Sequence, residues 1–524
     1  MNVVLRTAPH ETGESVPAPA GGPRRAASRK ARLAAAAAAG LVLAACFPPL
    51  DLGPLALGAL VPLLWAWQDA GGARWGALYG MVAGTAFFGV LVSWTWFFGP
   101  VAYLPFVLVL SLWWALAGAV VGWLDARNLA SVPAVAAVWV LIEAGRGRWP
   151  FGGFSWGEVG YAFHDIPAGR ALASWGGVLG VSFGAVLVNG LLLGAARAAR
   201  RGRCRLPRYG LGLGLVVAAV VFANVAQPAL TATGVLRAAL VQGNDKNRDP
   251  TPAERADRYL TRNHLRLAGE IDEDVDLVVL PESSLDADPR SDDFLDSELT
   301  GIARRLDASV LAGGDTRAPE GRLYNTTFQY GPQGRTPALY RKRHLVPFGE
   351  FVPFREALSF VEALEQIPRD YAPGKRPRIF AVGETPVGTL ICFESAFAGL
   401  ARGYARNGAE ALLVSTNNRS FRRSANAAQH LAIGQMRAAE VGRPVLQAAI
   451  SGISGFIDAG GDLLSQTSLF EDTVLVGEVT TTSGRTVYAN WGDWVLGVAA
   501  LVLATATARR LRSHATQREP KRQR

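Results

Sequence analysis

Long apolar runs separated by short polar breaks fill positions 33 to 227, stop, and return once near the C-terminus. A helix that crosses the hydrocarbon core of a bilayer needs about 20 apolar residues. Eight stretches approach that length: 33–50, 53–69, 76–98, 101–124, 130–145, 171–196, 209–227 and 491–508. Trp94, Trp96, Trp113, Trp114, Trp491 and Trp494 sit within them where interfacial anchors are common. Between the seventh and eighth stretches the period changes. Short β-type runs at 235–241, 275–280, 309–312, 326–330, 387–392 and 411–415 are interleaved with helical patterns at 253–270, 294–306 and 425–441. That mixture predicts layered sheets covered by helices. The pattern divides the chain into five parts: a disordered basic tail (1–30), a bundle of about seven transmembrane helices (31–229), an α/β domain (230–488), a last transmembrane helix (489–508) and a second basic tail (509–524).

Composition agrees with a membrane protein, at 50% hydrophobic and only 18% charged residues. The net charge of +10 does not signal nucleic acid, because the basic residues gather beside apolar stretches. One group is Arg24, Arg25, Arg29, Lys30 and Arg32; another runs from Arg197 to Arg208; the third begins at Arg509. No basic stripe is interleaved with aromatic residues, as single-strand binders require. Basic clusters of this kind mark the cytoplasmic side, and the loops at 48–54 and 99–105 carry no Lys or Arg. Both termini are therefore expected inside and the 230–488 domain outside the cytoplasm. The Leu43–Cys46 string also matches the end of a lipoprotein signal peptide. Further apolar stretches follow at once, which favours an uncleaved first helix.

Three cysteines are too few for a disulfide framework, and Cys392 is alone in the α/β domain. A thiol becomes a nucleophile when a base takes its proton or positive charge stabilises the thiolate. Glu282 follows Pro281 at the end of an apolar strand, a position that projects it into a cleft as a candidate base. Lys342 offers positive charge to a thiolate and then to an oxyanion, and the backbone N–H of Phe393 is a second oxyanion donor. Glu350 is placed to orient Lys342; Glu394 is a weaker candidate for similar support. Taken singly, such residues are usually a solvated turn, a surface lysine and a packed cysteine. Their order and context point to a Glu–Lys–Cys site. His164, His264, His344 and His430 lack metal-ligand spacing, and Gly313 and Gly314 lack the phosphate-loop context, so no metal or other cofactor is expected.

The 235–480 segment resembles the nitrilase (carbon–nitrogen hydrolase) superfamily, whose Glu–Lys–Cys site maps onto Glu282, Lys342 and Cys392. It is similar in more detail to a membrane branch, the apolipoprotein N-acyltransferases, through the blocks at 241–244, 342–353, 392–394, 429–440 and 455–458. Blocks at 47–56 and 152–161 extend the likeness into the bundle, so it covers nearly the whole chain apart from the tails. The resemblance implies an αββα sandwich inserted before the last membrane helix. It implies a monomer in a bacterial plasma membrane that moves a fatty acyl chain from a phospholipid, through a thioester on Cys392, to the α-amino group of a lipoprotein's diacylglyceryl-cysteine. Phe393 stands where tyrosine is common, positions 245–248 lack a common aromatic residue, and 416–420 departs from the usual run. These departures bear on lipid and acceptor preference. Phe351, Phe354, Leu358 and Phe360 are expected to form a lipid-access arm dipping into the outer leaflet, although a core helix has the same spacing. Two alternatives remain open at this level. One is a membrane-anchored amidase or nitrilase with water as acceptor. The other is a non-catalytic lipid-binding scaffold, which should carry buried charges along its spans; only Glu143 and Asp493 lie near span ends.

Overall fold

The computed structural model describes residues 28–68, 70–125, 131–200, 206–245, 251–356 and 369–518. Each of the eight apolar stretches contains helix, from Arg29–Ala44 at one end to Trp494–Arg518 at the other. Among the described residues, four helices are long and apolar enough to cross a membrane by length and composition: Pro100–Leu124, Pro167–Arg200, Leu206–Val225 and the Trp494–Ser513 part of the last. Two expected boundaries move. The first helix starts inside the expected tail, at Arg29, because the Ser28 side chain accepts from Ala31 N–H and caps it. It stops at Ala44, before the Pro48–Pro49 pair that could not continue a helix. The last helix runs past the expected boundary at 508 to Arg518. The rest of both tails, 1–27 and 519–524, lies outside the described residues.

Among the described residues, twelve strands build two six-stranded sheets. The first contains β1 (Thr231–Gln242), β2 (Leu277–Leu280), β3 (Ser309–Arg317), β4 (Leu323–Gly331), β5 (Gly334–Arg341) and β12 (Thr473–Ser483), in the order β12-β1-β2-β3-β4-β5. The second contains β6 (Ile379–Val382), β7 (Thr385–Ile391), β8 (Ala411–Thr416), β9 (Val445–Ala449), β10 (Gly455–Ile457) and β11 (Leu463–Gln466), in the order β11-β10-β9-β8-β7-β6. The centre of each sheet is parallel: β1-β2-β3 in one and β7-β8-β9 in the other. Alternation along β2 shows why both faces are buried. Leu277 and Val279 join the core between the sheets, with Leu413, Leu446 and Phe456 opposite. Val278 and Leu280 face outward onto Leu295, Leu299 and Ile302 of the helix Asp293–Leu306. Leu412 and Val414 of β8 likewise pack against Leu431 and Ala438 of the helix Asn426–Val441. The result is the αββα order expected for a nitrilase-like fold. The helical pattern at 253–270 is two helices, Pro252–Ala256 and Tyr259–Gly269, broken where Arg258 takes φ 54°.

The helix Asn426–Val441 also joins the sandwich to the bundle. Gln429 accepts from the indole N–H groups of Trp94 at 3.2 Å and Trp156 at 2.8 Å. Its amide nitrogen donates to the carbonyls of Pro48 at 3.2 Å and Leu91 at 3.1 Å. Farther along, Arg437 pairs with Glu440 at 2.6 Å, both side chains 1% exposed, and donates to the Tyr161 hydroxyl at 2.8 Å. Glu440 accepts from Val178 N–H at 2.7 Å, where the long helix Pro167–Arg200 breaks at Gly177 (φ 68°, ψ −179°). A carboxylate from one half thus caps a helix of the other. Apolar packing follows the same route, since Phe393, Ala396, Ile433 and Met436 belong to the core that contains Phe87, Trp114 and Trp139.

Only glycine adopts the Gly177 geometry readily, and a Cβ there would meet the Tyr488 ring at 2.5 Å and Glu440 Oε1 at 3.2 Å. Gly177→Ala should therefore destabilise the protein by about 1–3 kcal/mol, seen as a lowered melting temperature in neutral detergent. Gly180→Ala is the control, because its Cβ would make only an ordinary 3.5 Å contact with Val495. Equal melting of both variants would show that the junction does not depend on this break.

Candidate active site

Four strand ends deliver polar residues to one place. Glu282 leaves β2, Cys392 leaves β7, Asn417 leaves β8, and Lys342 follows β5. Lys342 Nζ is buried and donates to Glu282 Oε1 at 3.1 Å and to Glu350 Oε1 at 2.9 Å. The Asn325 amide, from β4, donates to the same two oxygens at 2.6 and 3.1 Å. The second oxygen of Glu282 accepts from Asn417 N–H at 2.7 Å, and that of Glu350 from Val346 N–H at 2.8 Å. Every carboxylate oxygen is held, so the ammonium has one fixed position.

Cys392 turns sharply out of β7 with φ 51°, into the 3-10 turn Cys392–Ala396. Glu394 anchors this turn. Its Oε2 accepts from Ile391 N–H at 2.8 Å, and its Oε1 accepts from the N–H groups of Arg343 at 2.7 Å and His344 at 3.0 Å. The Tyr340 hydroxyl lies within 2.9 Å of both oxygens. Glu394 therefore ties the backbone after Lys342 to the backbone around Cys392, and its bonds are to that backbone rather than to the ammonium. Phe393 stacks its ring on Phe154 of the bundle at 6.1 Å.

The electrostatics depart from the simple sequence expectation. Burial pushes the Lys342 ammonium down, yet the Glu282 and Glu350 carboxylates hold it well above the ordinary lysine range. Burial and the Glu282 charge together push the Cys392 thiol up to about 12, against the opposing pull of Lys342 and the Thr416 hydroxyl. Two carboxylates absorb the one positive charge, leaving the cluster net negative beside the sulfur. The Cys392 side chain is thus held towards its protonated, thiol form.

Sequence reasoning missed several residues around this cluster. Asp315 accepts from the Tyr371 hydroxyl at 2.7 Å. Burial pushes its carboxyl up to about 6, with the Tyr371 bond opposing and the Glu282 and Glu350 charges adding. His430 Nε2 lies 2.7 Å from Ser395 Oγ and 3.2 Å from the Cys392 carbonyl, bracing the turn from behind. A cavity of about 390 Å³ beside the site is lined by Phe151, Gly152, Arg322, His344, Phe351 and Tyr371, among others. Of the expected arm, Phe351 is half-buried and Phe354 is 73% exposed. The Phe354 ring meets Phe151 of the bundle at 6.0 Å. Leu358 and Phe360 lie outside the described residues.

The protonated thiol has a direct signature. Alkylation of Cys392 by iodoacetamide, followed by mass spectrometry of the tryptic peptide, should still accelerate above pH 10. Glu282→Gln removes the charge that raises the thiol and should move the profile to lower pH. A wild-type plateau below pH 9 would show that the thiolate is the resting form.

Comparison with known proteins gives the same two-part division. Residues 39–191 match the apolipoprotein N-acyltransferase N-terminal domain, and residues 237–488 match the carbon-nitrogen hydrolase domain. The apolipoprotein N-acyltransferase of Geobacter metallireducens is 31% identical over 498 residues, covering 91% of this chain and 95% of that protein. The one from Methylococcus capsulatus is 34% identical over 502 residues, covering 90% and 95%. Among solved structures, the nitrilase-superfamily protein Nit3 of Saccharomyces cerevisiae aligns with a TM-score of 0.36 at 17% identity, over 47% of this chain and 90% of that one. A carbon-nitrogen hydrolase from Helicobacter pylori aligns with a TM-score of 0.35 at 18% identity, over 55% and 99%. Identity above 30% across nearly the whole of both chains decides the matter: this chain belongs to the apolipoprotein N-acyltransferase family.

Proposed function

We propose that this membrane enzyme is an apolipoprotein N-acyltransferase that works through a thioester on Cys392, with Glu282 as the proton carrier and Lys342 as the oxyanion donor. The supporting observation is the fixed Glu282–Lys342–Glu350 cluster beside the half-buried Cys392 thiol, whose neighbour, Phe393, packs into the bundle. As Cys392 Sγ attacks the phospholipid ester carbonyl, Glu282 takes the thiol proton. Lys342 and the Phe393 N–H hold the negative oxygen of the tetrahedral intermediate. Collapse breaks the ester C–O bond, Glu282 returns its proton to the departing alkoxide, and lysophospholipid leaves. The acceptor's α-ammonium then loses a proton to Glu282 and its amine attacks the thioester carbonyl. A second collapse expels the sulfur, which regains a proton from Glu282, while the amine's second proton passes to solvent. Glu350 keeps Lys342 charged and in place, and Glu394 fixes the two backbone segments relative to each other.

The domain plan carries over to this proposal: about eight membrane helices, the 230–488 domain on the extracytoplasmic face, both termini inside, and a monomer. The basic groups flanking the apolar stretches argue for that orientation. Phe351 and Phe354, continued by Leu358 and Phe360, would be the lipid-access arm. The exposure of Phe354 beside Phe151 of the bundle favours that reading over a core helix.

Incubating purified protein with phospholipid should give an acyl adduct on Cys392, which Cys392→Ala and Cys392→Ser abolish without loss of folding. Glu282→Gln and Lys342→Ala should each slow single-turnover acylation by about 10²–10³. In the same assay, Phe351→Ser with Phe354→Ser should slow acylation by long-chain lipid and spare a short soluble ester. Normal acyl transfer by Cys392→Ala would end the thioester mechanism. Release of free fatty acid with no N-acylated peptide would favour the hydrolase alternative. Orientation is read separately, by an impermeant thiol reagent applied to wall-stripped cells carrying Asp288→Cys. Position 288 should label, and protection there would invert the topology.

A further inference from the structure

Beyond Asn417, whose N–H holds Glu282, the chain turns through Arg419–Phe421 to Arg422 and Arg423. Phe421 anchors this loop to the bundle, meeting Trp94 at 4.8 Å and Phe98 at 5.7 Å, both edge-on. Arg419 pairs with Asp245 at 2.8 Å. Arg422 and Arg423 are exposed, and among the described residues neither meets a carboxylate. The nearest acids in sequence to Phe470 are already engaged: Glu471 accepts from Ser468 N–H at 3.1 Å and Asp472 from Asn263 at 3.0 Å. The Arg422 guanidinium lies 5.5 Å from the Phe97 ring and that of Arg423 5.3 Å from Phe470. Beside them, the turn Ser93–Phe98 exposes Trp96 at 54%, Phe97 at 46% and Phe98 at 41%. Exposed aromatic rings at the rim of a membrane bundle suit the headgroup level. Cations held over such rings suit the phosphates. Inward from this rim, aromatic contacts run from Phe421 through Trp94, Trp156 and Phe154 to Phe393, next to the nucleophile.

We propose that Arg422 and Arg423 form a subsite for the phosphodiester of the acyl-donor phospholipid and give the first half-reaction a preference for donors with a net negative headgroup. The proposal rests on the two-step reading above and adds to it a means of telling the substrates apart. The donor carries a phosphate. The acceptor, a diacylglyceryl thioether with an α-ammonium, carries none, and two unpaired guanidinium groups repel its charge. The subsite therefore favours donor over acceptor at the free enzyme and has no role once lysophospholipid has left.

The test uses the full-length protein in neutral mixed micelles holding phosphatidylglycerol or phosphatidylethanolamine with identical acyl chains. Single-turnover acylation of Cys392 is followed by mass spectrometry. Wild type should acylate faster from phosphatidylglycerol, and added salt should shrink the difference. Arg422→Gln with Arg423→Gln should slow acylation from phosphatidylglycerol by roughly thirtyfold and remove the preference; Arg422→Lys with Arg423→Lys should keep most of it. When the thioester is loaded instead from a short neutral ester, transfer to a diacylglyceryl peptide should keep its rate in all forms. Equal rates from the two lipids in wild type, a preference that survives in the glutamine variant, or an equal slowing of the second half-reaction would each overturn the subsite alone. No adduct from either lipid in wild type would overturn the acyl-enzyme reading along with it.

Discussion

A buried ammonium cannot exist alone in a protein interior, and the active end of this molecule is arranged around satisfying one. Lys342 is 1% exposed on its side chain, and two carboxylates and their donors fix it from different strands. Removing one partner from a buried pair typically destabilises by about 3–5 kcal/mol. Glu282 and Glu350 are therefore structural as well as chemical, and the loop from Lys342 to Glu350 closes on itself through the Val346 N–H. The same arrangement sets the state of the sulfur. Two negative charges face one positive charge, and together with burial this holds the Cys392 thiol above the ordinary thiol range.

Precision at the sulfur also requires the sandwich and the bundle to hold one relative position. The helix Asn426–Val441 supplies that through side chains whose polar atoms are used on the bundle side. Gln429 bonds four groups of the bundle, and Glu440 caps the Val178 end of a bundle helix. Between them, His430 braces the carbonyl of Cys392. One helix thus contacts both the bundle and the turn that carries Cys392. Burying such polar contacts is favourable only when all are satisfied, so the two halves fit in one register or not at all.

How much of this was legible in the sequence follows from which signals are local. Glu282, Lys342 and Cys392 could be found because each stands beside an apolar strand or a distinctive loop, and the structure brings Glu282 and Lys342 into direct contact. Asn325 and Asp315 could not be found that way. They meet across the β3–β4 pairing, where Asp315 faces Asn325 in register, and register is a long-range property that no run of residues announces. Of the strands the sequence pattern missed, β6 and β9 to β11 are only three to five residues long, whereas β5 and β12 are longer but mostly half-exposed. The cap from Glu440 to Val178 joins positions 262 apart in sequence, and the Gly177 break inside a continuous apolar run gives no sign of itself. The charge state of the thiol was hidden for a related reason. The sequence sets Glu350 beside Lys342, and only the geometry adds Glu282 as a second carboxylate on the same ammonium.

The two substrates proposed for this site differ in charge where they differ in chemistry. A single cleft that takes one lipid, keeps its acyl chain and then takes a second lipid needs some feature that one of them lacks. Apolar surface cannot supply it, since both bring similar chains and a hydrophobic wall discriminates little between them. The buried cluster around Lys342 cannot supply it either, because both half-reactions pass through the same oxyanion. What remains is the rim, where long-range charge acts before contact is made. On this chain the described rim couples exposed aromatic rings of the bundle to guanidinium groups carried by the loop that begins at the Glu282 anchor. Discrimination by charge at the mouth and identical chemistry at the base is therefore the division of labour that the geometry favours.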